Sequence, residues 1–79
     1  MNFTNDLLEE MEVLSRYNPD TTLEGVKVHA SSAPAATVAA TRRLHDKGLI
    51  TQPDGGYLTN LGLETAAHLQ ALLAVLRNT

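Results

Sequence analysis

Residues 44–62 read LHDKGLITQPDGGYLTNLG, and this stretch decides the fold because it changes secondary structure twice. Gly48 is a typical helix-ending residue, since glycine adopts the left-handed conformation at little cost. Two short β-prone runs, residues 49–51 and 56–58, lie on either side of the sequence QPDG at 52–55. Proline at the second turn position and glycine at the fourth favour a type I turn closed by a left-handed glycine. The stretch therefore predicts the end of a helix, a β-hairpin and the start of another helix.

Helices are predicted on both sides of this hairpin. Residues 33–47 form the helix that precedes it, and residues 60–77 form the helix that follows it. The predicted N-cap residues are Ser31 or Ser32 for the first of these helices and Thr59 or Asn60 for the second. The helical period also predicts a buried stripe on the helix over 33–47, which consists of Thr37, Ala40, Thr41 and Leu44.

The N-terminal part of the chain predicts two further helices. The first covers residues 5–17, capped by Thr4 or Asn5, and its apolar stripe consists of Phe3, Leu7, Met11, Leu14 and Tyr17. Thr21 and Glu24 have the spacing of a capping box, which predicts a short second helix within residues 21–30. The whole chain, residues 1–79, is then one domain that is mainly α with a small β-hairpin.

Several function classes are disfavoured by the sequence. The chain has no cysteine, which excludes disulfides and thiolate zinc sites. No stretch approaches the roughly 18 consecutive apolar residues that a membrane-spanning helix needs, and no leader sequence is recognisable. We therefore expect a cytoplasmic protein without membrane contact. No nucleophile elbow, phosphate loop or catalytic dyad can be found, so we expect neither enzyme activity nor a cofactor. Glu64 and His68 lie one helical turn apart, but two ligands do not make a metal site.

Charge is unevenly distributed along the chain. The net charge is −3 overall, but residues 1–24 carry −5 and residues 25–51 carry +3. We expect an anionic partner to bind the central, basic segment.

Parts of the sequence resemble two known families. The run LHDKGLI…GYLTNLG is similar to the end of the recognition helix and the wing of many bacterial winged-helix regulators. The stretches TTLEGVKVH at 21–29 and RLHDKGLITQPDGGYLT at 43–59 also resemble a small bacterial family of proteins of similar length that are provisionally regarded as DNA-binding. The resemblance extends over nearly the whole chain. It implies a winged helix-turn-helix domain with three helices, a hairpin wing and a C-terminal helix.

The resemblance also implies a function, that of a small transcriptional regulator without catalytic activity. Residues 21–30 would position residues 33–47 as a recognition helix in the major groove of double-stranded DNA. The residues expected at this interface are Lys27, Ser32, Ala35, Thr37, Arg42, Arg43 and Lys47. The overall acidity and a wing tip at 53–56 without lysine or arginine predict weak, salt-sensitive binding.

The alternative is a winged-helix module that binds a protein and no DNA, since this fold serves both purposes. The charge around the helix over 33–47 discriminates the two functions. A continuous basic face supports DNA binding, whereas acidic first helices beside that face support a protein partner.

The last helix predicts self-association, because it is apolar almost all round. Leu61, Thr65, Leu69, Leu72 and Leu76 form one stripe, and Leu63, Ala67, Ala71 and Ala74 form a second stripe nearly opposite. A helix of this kind is normally buried, and a domain of 79 residues has little surface with which to cover both sides. We therefore expect one face to pack on the core and the second stripe to form a homodimer interface.

Overall fold

The computed structural model describes residues 2–78, which form three helices and a three-stranded antiparallel sheet. The helices are α1 (Asn5–Leu14), α2 (Ala35–Asp46) and α3 (Asn60–Arg77), and the strands are β1 (Val26–Lys27), β2 (Ile50–Gln52) and β3 (Gly55–Leu58). β3 lies in the middle of the sheet and pairs with β1 on one side and β2 on the other. The chain is therefore mainly helical, with a wing-like hairpin between α2 and α3.

The β2–β3 hairpin confirms the turn predicted from the sequence QPDG. Gly55 and Gly56 close the turn with φ angles of 130° and 76°, which L side chains rarely adopt. A Cβ atom at Gly55 would collide with the carbonyl oxygen of Val26 in β1. Glycine at this position therefore lets β1 lie close to the β2–β3 hairpin.

The C-terminal end of α2 has the Schellman geometry that Gly48 predicts. Gly48 has a φ angle of 81°, and its amide donates to the carbonyl of His45 at 2.9 Å. The amide of Leu49 donates to the carbonyl of Leu44 at 3.0 Å. These two bonds satisfy carbonyls that the helix leaves free, and they direct the chain into β2.

The start of α2 differs from the prediction. Pro34 occupies the N-cap position, and no side chain caps the helix, so the assignment of Ser31 or Ser32 was wrong. The fixed φ of proline, −57° here, suits the start of a helix. The N-caps of the other two helices are confirmed: Thr4 accepts from the amide of Leu7, and Thr59 accepts from the amide of Gly62.

Residues 21–30 contain no helix, so the second helix predicted from the capping-box spacing was wrong. The hydroxyl of Thr21 accepts from the amide of Leu23, which makes a local turn instead. Glu24 accepts from the side-chain amide of Asn18 at 2.6 Å. The chain then forms β1, and before α2 it makes a single turn in which the amide of Ala33 donates to the carbonyl of His29. A strand and a single turn thus take the place of the helix predicted within residues 21–30.

The core lies between α1, α2, the sheet and the first half of α3. Its largest fully buried side chains are Leu44, Ile50, Val13 and Thr41. The predicted stripe of α2 is buried throughout, and the hydroxyl of Thr41 is satisfied by donating to the carbonyl of Thr37 at 2.7 Å. α1 ends at Leu14, three residues earlier than predicted, and Phe3 and Leu7 of its stripe remain exposed.

Tyr17 connects the segment after α1 to the sheet. Its ring is buried in the core, and its hydroxyl donates to the carbonyl of Gly56 at 3.1 Å. Burial, with a smaller contribution from the negative charge of Asp54, raises the pKa of Tyr17 to about 12. Tyr17 therefore stays neutral throughout the physiological range.

α3 presents a narrow stripe to the core that includes Leu69 of the first predicted stripe but otherwise differs from both predicted stripes. Its buried residues are Gly62, Ala66 and Leu69, with Leu73 packed partly against the core. A Cβ atom at Gly62 would collide with the carbonyl oxygen of Leu49, so the start of α3 lies directly against the segment before β2. The buried side lies between the two predicted stripes, which leaves Leu61, Leu72 and Leu76 exposed.

Candidate functional site

The outward face of α2 is the surface on which a recognition helix would contact DNA. It carries Ala35, Ala39, Arg42 and Asp46, which are all exposed and lie opposite the buried stripe. Two of the four are alanines, which let a partner approach the helix backbone closely. Arg42 supplies the positive charge of this face.

Two grooves flank this face. On the hairpin side, a cavity of about 320 Å³ is lined by Val38 and Arg42 of α2 and by Pro53 and Asp54 of the turn, among others. On the opposite side, a cavity of about 350 Å³ lies between α1 and α2. We call the second one the α1–α2 groove; its lining includes Asp6 and Glu9 of α1 and Ala36, Ala39 and Arg43 of α2.

Glu10 of α1 forms ion pairs with two of the four basic side chains that were predicted to contact DNA. Its side chain is 7% exposed, and it accepts hydrogen bonds from Arg43 Nε at 3.0 Å and from Lys47 Nζ. Arg43 also donates to the backbone carbonyl of Asp6 at 3.2 Å. Burial alone would raise the pKa of Glu10, but the hydrogen bonds from Lys47 and Arg43 outweigh it and hold the pKa below its ordinary value. This ion cluster ties α1 to the C-terminal end of α2.

Lys27 is the third of these cations to be paired within the chain. Its ammonium lies 2.5 Å from the carboxylate of Asp54, which lowers the pKa of Asp54. In the same place, the amide of Val28 donates to the carbonyl of Asp54 at 2.8 Å. The ion pair therefore reinforces the contact between β1 and the hairpin turn.

The remaining predicted contact residues fall into two groups. Ser32 and Ala35 are exposed beside the start of α2, and Arg42 is exposed on its outward face. Of the four predicted cations, Arg42 is the one with no carboxylate within ion-pair distance among residues 2–78. Thr37 is buried in the core, so its side chain is not available to a partner and its place among the contact residues was wrong.

Acidic side chains of α1 lie beside the outward face of α2. Asp6 and Glu9 line the α1–α2 groove on the same side as Ala39. Sequence reasoning named acidic first helices beside this face as the sign of a protein partner, but it missed the buried position of Glu10. The residue type gives no signal for burial of Glu10, because its two cationic partners lie 33 and 37 residues further along the chain.

The predicted dimer residues on α3 are only partly free. Ala67, Ala71 and Ala74 are exposed, whereas Leu63 is half-buried and packs against the core. Larger apolar side chains are exposed elsewhere on the helix, namely Leu61, Leu72, Val75 and Leu76. Among the residues that the structure describes, no three His, Asp or Glu side chains lie together as a metal site would require. No helix in the same part of the chain has the length and apolarity needed to cross a bilayer.

Comparison with known proteins gives a family but no individual relative. Neither curated proteins nor solved structures match the chain. The model of one protein family, described as "Family of unknown function (DUF5669)", matches residues 1–77. Because this match extends over nearly the entire chain, the protein belongs to the DUF5669 family.

Proposed function

We propose that this chain is a non-catalytic protein-interaction domain, in which the outward face of α2 and the adjacent acidic side of α1 bind another protein. One observation carries the proposal: three of the four cations on which DNA binding would depend are paired with carboxylates of the same chain. Glu10 holds Arg43 and Lys47, and Asp54 holds Lys27.

Electrostatics explains why this pairing disfavours nucleic acid. DNA affinity comes largely from cations that neutralise phosphates and release counterions. A lysine or arginine that already has a carboxylate partner brings no net charge to the phosphate. Arg42 alone contributes about one phosphate contact, while Asp6 and Glu9, in the groove on the other side of the outward face, add negative charge that repels the DNA backbone.

The same surface has features that suit a protein partner. Ala36 and Ala39 contribute apolar lining to the α1–α2 groove, and Asp6 and Glu9 form an acidic rim in which Asp6 lies 3.8 Å from the guanidinium of Arg43. Such a groove accepts an apolar or extended segment whose lysine or arginine side chains reach the rim. The partner expected from this chemistry is a basic segment of another protein.

The first experiment measures affinity for random duplex DNA by fluorescence anisotropy at about 50 mM salt. We expect no binding by the natural chain. The double variant Asp6→Lys, Glu9→Lys serves as the positive control, because it reverses the acidic rim and should give salt-sensitive binding. Tight binding by the natural chain, lost in Arg42→Ala, would overturn the proposal.

The second experiment tests the protein partner directly. A photo-crosslinking amino acid placed at Ala39 should capture one defined protein in cells. A competing copy of the chain that carries Ala39→Arg should not reduce this capture, because its own groove no longer binds the partner. The matched control is the same crosslinker at Leu23, which is exposed in the loop before β1. Equal capture at both positions would show that the α1–α2 groove has no special role.

DNA binding remains a second candidate function, favoured by Arg42 and by the position of the hairpin beside α2. In this mechanism α2 lies in the major groove, the hairpin acts as the wing, and Arg43, Lys47 and Lys27 exchange their carboxylates for phosphates. The logarithm of affinity would then fall with the logarithm of salt concentration with a slope of about −0.9 for each phosphate contacted. A slope of several would therefore support this candidate against the first.

A further inference from the structure

An apolar groove lies between α1 and α3, on a different side of the molecule from the α1–α2 groove. Its cavity has a volume of about 290 Å³, and its lining includes Phe3, Leu7 and Met11, together with Leu49 and Thr65. We call it the α1–α3 groove. Phe3 is 65% exposed and Leu7 is 42% exposed. Two large apolar side chains therefore line this groove while remaining open to water.

The exposed leucines of α3 lie on the same side of that helix as the groove. Leu61, Thr65, Leu72 and Leu76 are separated by four, seven and four residues, which places them within one narrow stripe at 3.6 residues per turn. α3 has 18 residues and is about 27 Å long. The groove near its start and the leucines near its end thus form one apolar surface along its length.

The charge of this surface suits a second copy of the chain. Residues 65–76 contain no aspartate, glutamate, lysine or arginine. Beside a two-fold axis a residue lies near its own counterpart, so a charge at that position would face a like charge. Residues 65–76 of α3 have no such charge, and the two charged side chains that line the groove, Glu10 and Lys47, are paired with each other. The outward side of α1, in contrast, carries Asp6, Glu9 and Glu12.

We propose that α3 of a second copy occupies the α1–α3 groove, in an antiparallel pair of α3 helices related by a two-fold axis beside residues 68–69. This axis puts Leu76 of one protomer opposite Leu61 of its partner, and Leu72 opposite Thr65. The C-terminal leucines of each chain then cover Phe3 and Leu7 of the other. The groove and the exposed leucines of each protomer are then covered by the same contact.

Exposed apolar side chains supply the centre that a stable dimer interface needs. A standard interface buries about 800 Å² per protomer around an apolar centre. The exposed side chains available for that centre are Phe3, Leu7, Leu61, Leu72 and Leu76. This interface differs from the predicted dimer stripe, which lies on the opposite side of α3 and consists of Leu63, Ala67, Ala71 and Ala74. It does not rest on the proposed function, since none of its residues lies on the outward face of α2.

Oligomeric state is the first test, measured by sedimentation equilibrium on the full chain. We expect the natural chain to have twice the 8.5 kDa mass of one chain, and Leu72→Glu and Leu76→Glu to have the mass of a monomer with unchanged circular dichroism. The matched controls are Ala67→Glu and Ala71→Glu on the predicted alanine stripe, which should remain dimeric. A monomeric natural chain, or monomers formed by the alanine variants alone, would overturn the proposal.

Cysteine crosslinking tests the antiparallel arrangement, because the natural chain has no cysteine. The double variant Leu61→Cys, Leu76→Cys should form a covalent dimer with a short bismaleimide. Leu76→Cys alone should not, since the two copies of residue 76 lie at opposite ends of the pair. Efficient crosslinking through residue 76 alone would indicate parallel helices and would contradict the proposed geometry.

Discussion

α2 and α3 differ in which of their side chains the rest of the chain covers. α2 is the basic helix of the sequence, yet Arg43 and the adjoining Lys47 are held by Glu10, which leaves Arg42 on the outward face. α3 is the most apolar helix, yet its fully buried residues are Gly62, Ala66 and Leu69. Charge in a sequence is therefore not the same as charge available to a partner, and apolar character is not the same as burial. What decides both is which neighbour lies beside the helix.

The largest expected difference concerns leucines of the two helices. Leu44→Ala should lower the free energy of unfolding by about 3 kcal/mol, because it leaves a cavity in the core next to α1 and the sheet. Leu72→Ala should change it by less than about 0.5 kcal/mol, because Leu72 is exposed in the single chain. Urea unfolding in the monomeric Leu76→Glu background measures both without a contribution from dimer dissociation. Similar losses would mean that α3 is covered by its own chain after all.

Gly62→Ala tests how α3 is anchored. Helix propensity alone predicts a gain of about 1 kcal/mol from this change. The collision of the new Cβ atom with the carbonyl oxygen of Leu49 should instead cost about 2 kcal/mol, because α3 must move away from the segment before β2. Thermal unfolding measures the sign. A stabilised variant would show that the start of α3 is loosely packed. It would then differ less from the exposed C-terminal end of the helix.

Charge reversal compares the two arginines of α2. Arg43→Glu should lower the free energy of unfolding by about 1 to 2 kcal/mol, because it places a second carboxylate beside the buried Glu10. Arg42→Glu should change it by less than about 0.5 kcal/mol, since this side chain has no partner within residues 2–78. Denaturant unfolding at low salt compares them. Equal tolerance of both reversals would remove the distinction between a structural and a free cation.

The smallest expected effect is the pH dependence of the Glu10 cluster. The pKa of Glu10 is lower in the folded chain than its ordinary value of about 4.3. As the pH falls, Glu10 is therefore protonated in the unfolded chain before it is protonated in the folded chain. The stabilisation by the ionised Glu10 cluster is present above about pH 4.3 and is lost as the pH falls through the folded-state pKa of Glu10. Between pH 5 and pH 3, Glu10→Gln should lose less free energy of unfolding than the natural chain loses. Denaturant unfolding at intervals of about 0.5 pH units measures this difference. Identical pH profiles would mean that the cluster contributes nothing to folding.

The sequence predicted those parts of the fold that depend on nearby residues. The hairpin, the Schellman motif at Gly48 and the buried stripe of α2 each follow from turn residues or helical spacing within a few positions. Residues 21–30 were predicted wrongly because a capping-box spacing also suits a local turn. Val26 has its strand partner at Gly56, thirty positions away, and no local pattern reveals that pairing.

The positions of the basic residues in the candidate site were predictable from the sequence, but their ion pairing was not. The sequence places Arg42, Arg43 and Lys47 at the right positions along α2. Which of them is free depends on Glu10 and on how α1 packs, and the charge totals of the segments do not contain that information. The rotation of α3 was missed for a related reason: a helix that is apolar all round gives no periodicity from which its buried side can be chosen.

The bond from Tyr17 to Gly56 has a consequence for how the chain reaches its final structure. The two residues are 39 positions apart, so the contact closes a long loop, whereas α2 and the hairpin are built from contacts between near neighbours. Loop closure costs entropy before any contact compensates for it, and non-local pairing is correspondingly slow. We therefore expect α2 and the hairpin to form early and the Tyr17 contact to lock late. The N-terminal third of the chain then completes an already formed helix and hairpin, rather than starting the fold.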